Sequence, residues 1–110
     1  MAYDLALADR IRELLLGVDD LAEQKMFGGL AFLVNGNMAV AARGSGGLLV
    51  RVDPAAADAW IDGEQVTPMV MRGREMRGWL TVATDAGGRD VDEWVSRGVA
   101  YARSLPAKSR

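Results

Sequence analysis

The stretch KMFGGLAFLVNGNMAVAA, residues 25–42, decides the fold. Its double glycine, Gly28-Gly29, reads either as a phosphate-cradling loop or as part of a strand, and the two readings lead to different proteins. A phosphate loop needs glycines between a strand and a helix, so that free backbone N–H groups and the helix N-terminus converge on the anion. Here the glycines are followed by Leu30-Ala31-Phe32-Leu33-Val34 and then by Asn35-Gly36-Asn37, whose Asn-Gly pair tolerates the positive φ values of a tight hairpin. No helix signal comes after them, and the spacing matches neither the Walker pattern nor G-x-G-x-x-G. The glycines are therefore expected to be sheet backbone, as a bulge or a close-packing site, in a strand over 24–34 that turns into a second strand over 37–43.

C-terminal to this hairpin, Gly44-Ser45-Gly46-Gly47 leads into Leu48-Leu49-Val50-Arg51-Val52, which predicts a meander of three antiparallel strands. Asp53-Pro54 then places a capping acid before a proline at the first helical position, a start signal for a short helix over 55–61. Asp62-Gly63-Glu64 ends it. Two further strands are expected over 68–71 and 78–83, joined by the turn-rich segment Arg72-Gly73-Arg74-Glu75-Met76-Arg77. Asp90, with Glu93 three residues on, resembles a capping box for a last helix running to 105. The stripe of that helix is Val91, Trp94, Val95, Gly98, Ala102 and Leu105, with Gly98 placed to let it approach the sheet. N-terminal to the opening stretch, Leu7, Ile11, Leu14 and Leu15 recur at helical spacing, and Gly17 closes this first amphipathic helix.

The resulting order, α-β-β-β-α-β-β-α, predicts an α+β domain with a five-stranded antiparallel sheet and helices packed on one face. A single domain is expected over 1–105, with 106–110 as a frayed tail. At 110 residues, half of them hydrophobic, the chain suits one core. Thirteen Lys and Arg against fifteen Asp and Glu leave a net charge of −2, so nucleic-acid or membrane binding has to be local. There is neither cysteine nor histidine. Disulfides, thiolate chemistry, imidazole general bases and the commonest metal ligands are thus absent from the chain. No apolar run approaches the ~20 residues that span a bilayer, and the acidic start lacks the positive charge of a secretory leader, so a cytoplasmic location is expected.

Few residues look like chemistry. Asp85 begins an acidic, glycine-containing run, but Gly87, Arg89 and Asp90 stand where a calcium loop needs two oxygen ligands and a glycine. Met26, Met38, Met69, Met71 and Met76 are expected to fill gaps in packing or to make an adaptable interface. Trp60, Trp79 and Trp94 are read as packing anchors, one of them a candidate for a dimer contact. Lys25, Arg43, Arg51, Arg72, Arg74 and Arg77, with Trp79 as a stacking ring, form the candidate interaction or nucleic-acid surface. Glu75 sits among the arginines, and a solvated turn is the simpler reading of them. No residue is assigned as catalytic, as a metal ligand or as cofactor-binding.

Taken together, Lys25-Met26-Phe27-Gly28-Gly29-Leu30-Ala31-Phe32, Asn35-Gly36-Asn37-Met38, Leu48-Leu49-Val50-Arg51-Val52-Asp53 and Met71-Arg72-Gly73-Arg74-Glu75-Met76 before Gly78-Trp79-Leu80 resemble the TfoX/Sxy N-terminal domain family. The resemblance implies a fold similar to the secretion-chaperone-like architecture. It also implies a kinship with regulators of DNA-uptake competence that act with a transcription factor, here as a standalone member without their C-terminal domain. It supplies no catalytic residues.

The expectation is a non-enzymatic module that binds a protein partner, such as a transcription regulator, and pairs with itself as a homodimer. The first alternative is nucleic-acid binding through Arg72, Arg74 and Arg77. The second is an enzyme using carboxylates.

Overall fold

The computed structural model describes residues 3–26 and 28–107. In chain order the elements are α1 (Leu5–Leu14), β1 (Leu21–Met26), β2 (Gly29–Val34), β3 (Asn37–Ala42), β4 (Leu48–Arg51), α2 (Pro54–Trp60), β5 (Val66–Met71), β6 (Arg74–Val82) and α3 (Val91–Ser104). All six strands join one antiparallel sheet in the order β1-β2-β3-β4-β6-β5. The fold is α+β as expected, but the sheet has six strands rather than five.

The additional strand comes from the opening stretch. Residues expected to form one strand over 24–34 instead form the hairpin β1-β2, closed by the pair Met26↔Gly29. Gly28 has φ +75°, which an L side chain rarely adopts, and so supplies the turn. Gly29 is needed for a different reason. A Cβ there would lie 3.1 Å from both Arg43 Cα and Gly44 N, and closer still to the Ala42 carbonyl oxygen. The double glycine is thus one turn residue and one close-packing residue, and it opens a strand rather than a helix.

A second correction concerns the segment 72–77. Arg72 and Gly73 alone make the turn, at φ 54° and 78°, and Arg74 to Arg77 belong to β6.

Two of the helices start on an aspartate cap, which the sequence predicts for α2 alone of the two. Asp4 Oδ1 accepts from the amides of Ala6 and Leu7 at 2.9 and 3.2 Å, and Asp53 Oδ1 from Ala55 at 2.9 Å ahead of Pro54. The third does not. Asp90 already has helical φ and ψ (−90°, −2°) and makes no side-chain cap bond; its Oδ1 accepts from the Thr84 hydroxyl at 3.1 Å. Glu93 reaches forward to an ion pair with Arg97 instead of back to the cap.

The pleat sends alternate side chains to opposite sides of the sheet. On one side Leu30, Phe32, Val34, Val40, Ala42, Leu48, Val50, Leu80 and Val82 pack with Leu7, Ile11 and Leu15 of α1, Ala57 of α2, and Val91, Trp94, Val95, Val99 and Ala102 of α3. This is the main core. Gly98 brings α3 down onto β3 and β4: a Cβ there would lie 3.0 Å from the Ala39 carbonyl carbon and 3.2 Å from Val50 Cγ1.

Polar clips hold the periphery. Arg10 donates to the carbonyls of Ala86 and Gly88 at 2.5 and 2.8 Å and pairs with Asp92. The buried Asn37 amide donates to the Pro106 carbonyl at 3.0 Å, so the segment expected to fray at 106–110 begins at a held carbonyl; residues 108–110 lie outside the described residues. Among the described residues no helix is long and apolar enough to cross a membrane.

Candidate functional site

Among the described residues the other side of the sheet carries no helix, yet it is not polar. Ala31, Met38, Ala41 and Leu49 form a second buried cluster made of strand residues alone, with Met26, Leu33, Met69 and Trp79 packed against it. Ala31 is fully buried and Leu49 only 3% exposed, with the side chains packed against their cluster coming, among the described residues, from strands. By register Met76 stands opposite Met69, which extends the thioether rim toward the β5-β6 tip. Unbranched, polarizable methionine side chains around small alanines make a surface that can re-pack against different apolar partners.

Cations border this platform. Arg51, paired with Trp79 across β4 and β6, holds its guanidinium 5.1 Å from the Trp79 ring centroid and 5.7 Å from that of Tyr101. Arg43, just past β3, borders a cleft of about 470 Å³ between the β1-β2 and β3-β4 turns. Met26, Gly29, Ser45, Leu49 and Met69 also line it. Three arginines of the helical side are engaged: Arg10 with Asp92, Arg12 with Asp9 and Glu23, Arg97 with Glu93 and against the rings of Trp60 and Trp94; Arg103 of α3 is exposed and has no carboxylate within ion-pair distance among the described residues. Among the described residues, none of Arg43, Arg51, Arg72, Arg74 and Arg77 lies within ion-pair distance of a carboxylate.

The two strand carboxylates are turned away from the platform. Glu23 bonds to Arg12 of α1 on the helical side, and Glu75 stands opposite Val70, one position off the Met69↔Met76 pair. The Arg12 guanidinium holds the Glu23 carboxyl below its ordinary value of 4.5 and is itself raised by that carboxylate and by Asp9. The amides of Val66 and Glu64 hold Asp62 below its ordinary value in the same way. Both shifts favour the ionised form; a general acid near neutral pH needs the opposite. Among the described residues no three acids cluster as a metal would require.

Of the residues singled out in the sequence, Arg51 and Trp79 are brought into contact, with Arg43 bordering the cleft on the same side. Arg72, Arg74 and Arg77 are exposed on the β5-β6 hairpin. Lys25 is separated from them: it stands on edge strand β1 opposite Leu30, whose side chain belongs to the helical side. The methionine platform and Tyr101 were not among the candidates. Met26, Met38 and Met69 are read from the sequence as gap-fillers or as adaptable interface, and only the sheet order shows that they share one face. Trp60 and Trp94 are packing anchors, edge to face at 5.7 Å and 86°.

Comparison with curated proteins and with solved structures gives no significant match. A family model does match, described as the TfoX N-terminal domain, over residues 13–102, which run from the end of α1 through most of α3 and take in every strand. With the opening stretch, the cluster beneath it and the Arg51-Trp79 pair all inside that match, the chain belongs to the TfoX N-terminal domain family.

Proposed function

We propose that the chain is a non-enzymatic protein-interaction module that works through the helix-free face of its sheet. Its partner is a protein whose contact segment combines apolar side chains with carboxylates, and the family's link to competence points to a transcription regulator. The observation that carries this reading is the sorting of charge about an apolar platform. On a chain of net charge −2, the platform and the β5-β6 hairpin hold five arginines without carboxylate partners among the described residues, while Arg10, Arg12 and Arg97 on the helical side are neutralised in place. Apolar burial at the platform centre would supply affinity, and the arginines at its rim would set orientation and encounter rate.

The test starts with immobilised chain, identification of host proteins retained after nuclease treatment, and re-binding of each as a purified protein. The double variant Leu33→Asp/Met69→Asp, checked for native circular dichroism, should lose binding. Adding the purified partner to wild-type chain should shift the methyl resonances of Met26, Met38 and Met69. Equal binding by the variant, methyl shifts absent from those three residues, or no retained protein would each defeat the reading.

One observation favours a second reading, local nucleic-acid binding: Arg72, Arg74 and Arg77 are all exposed on one hairpin. Replacing all three by Glu should then weaken DNA or RNA binding and lower its salt dependence, each lost phosphate contact removing roughly one unit of slope. No binding at low salt would remove this alternative.

A further inference from the structure

The sheet ends in two different edges, β1 and β5. β5 contains Pro68, and its register with β6 slips between Pro68 and Met69. Proline lacks an N–H, and an irregular strand is a poor template for another, so this edge is protected. β1 has neither device. Its pairing to β2 is unbroken from Leu21↔Val34 to Met26↔Gly29.

One bond fixes the direction of its free hydrogen-bonding groups. The Asn35 amide donates to the Asp20 carbonyl at 3.1 Å, which continues the β1-β2 register by one pair. Hydrogen-bonded pairs alternate in an antiparallel ladder, so the even positions of β1 bond to β2. The N–H and C=O groups of Leu21, Glu23 and Lys25 therefore point outward, toward whatever lies beside the sheet.

We infer that this edge is completed by β1 of a second copy of the chain, antiparallel about a two-fold axis, joining two six-stranded sheets into one. A two-fold pairing through odd positions can centre on Ala22, Glu23, Gln24 or Lys25. Centring on Glu23 or Lys25 sets identical charges directly opposite each other. Centring on Ala22 pairs only Leu21 to Glu23 and leaves Lys25 unmatched. Centring on Gln24 sets Glu23 opposite the second copy's Lys25 twice, Ala22 opposite Met26 twice, and pairs five residues of each strand. The charge pattern selects this register.

Glu23 can accept the extra ammonium without releasing Arg12, because each of its oxygens takes one Arg12 donor, at 2.7 and 2.8 Å, and keeps a free lone pair. Lys25 is exposed and, among the described residues, has no carboxylate within ion-pair distance. Gln24, Ala22 and Met26 lie on the helix-free side, so pairing would make the two platforms continuous. The inference rests on the edge and not on the platform, and the Leu33→Asp/Met69→Asp variant leaves every residue of β1 in place.

Because the chain has no cysteine, a single substitution introduces a unique thiol. In the selected register residue 24 faces its own copy as a non-hydrogen-bonded pair, with Cα atoms about 4.5 Å apart and so within disulfide reach. Under mild oxidation Gln24→Cys should form a disulfide-linked dimer at least about tenfold faster than Glu23→Cys, or than Ala100→Cys on the exposed side of α3. In sedimentation equilibrium the wild-type chain should self-associate, and Lys25→Glu should weaken that association by about tenfold or more. The inference is overturned if the wild type stays monomeric up to about 1 mM. It is equally overturned if Gln24→Cys cross-links no faster than the two controls, or if Lys25→Glu associates like wild type.

Discussion

Replacing Gly98 by alanine tests the contact that seats α3 on the sheet. Two effects oppose each other. Alanine is the better helix former by about 1 kcal/mol, so on local grounds the variant should gain stability. Yet its Cβ would stand 3.0 Å from the Ala39 carbonyl carbon, nearer still to the carbonyl oxygen, and 3.2 Å from Val50 Cγ1, where ordinary contact begins at 3.4 Å.

The obstacle is the backbone carbonyl of Ala39, which the β2-β3 register skips at a bulge but which is tethered between Met38 and Val40, both paired to β2, so it yields less readily than the end of a flexible side chain. α3 must lift by several tenths of an ångström, which loosens Trp94, Val95, Val99 and Ala102 against the sheet together. A radial gap of that order forfeits a sizeable fraction of the dispersion well at each contact. With overpacking at the upper end of its usual range, about 3 kcal/mol, the net loss is about 2 kcal/mol after the propensity gain. At roughly 4–8 °C per kcal/mol for a domain near this size, the thermal midpoint should fall by roughly 8–16 °C.

Urea and thermal melts by circular dichroism measure this directly. Ala100→Gly, exposed in the same helix, calibrates the propensity difference in place and should lose about 1 kcal/mol. A Gly98→Ala chain that melts at or above the wild-type temperature would refute the close approach of α3.

Other contacts give three more expected outcomes. Gly29→Ala should destabilise by about 1–3 kcal/mol, because its Cβ meets the backbone of Ala42, Arg43 and Gly44; equilibrium urea unfolding reads this out. Asn37→Ala removes the only side-chain donor found on the Pro106 carbonyl among the described residues, should cost about 1 kcal/mol, and should speed amide exchange at the end of α3. The folded Glu23 carboxyl is held below its ordinary value of 4.5, so its stabilisation is fully present above that pH and is lost as pH falls through the lower folded value. Glu23→Gln should therefore cost under about 1 kcal/mol at pH 7, as for part-exposed pairs generally, and should differ less from wild type by pH 3. A difference that stays constant across that range would show that Arg12 does not depress the Glu23 carboxyl.

Local turn and cap chemistry was legible in the sequence. Asn35-Gly36 marked the β2-β3 hairpin, Asp53-Pro54 the start of α2, and Gly98 the approach of α3. The β1-β2 hairpin was not, because its turn glycine comes after Phe27 rather than Asn or Asp and is flanked by apolar residues that read as one continuous strand. The β5-β6 turn was placed within 72–77 but its tightness was not visible, because Arg72 takes positive φ, which non-glycine residues seldom do. Neither was the helix-free platform visible. β3, Asn-Met-Ala-Val-Ala-Ala, is buried along its whole length, so no polar alternation separates its two sides. Arg51 and Trp79 were each named, but their contact depends on β6 pairing with β4 across an intervening helix and strand, a non-local register that spacing does not encode.

Thioether sulfur is distributed unevenly through the molecule. Among the described residues the buried members of the main core include no methionine, whereas Met26, Met38 and Met69 gather on the opposite side of the sheet. Peroxide treatment would convert accessible members of that group to polar sulfoxides while leaving the Leu, Val and Phe interior chemically untouched. Isotope-labelled methionine methyl groups would accordingly act as reporters of events on one surface, and a thermal midpoint preserved after oxidation would separate damage to recognition from damage to folding.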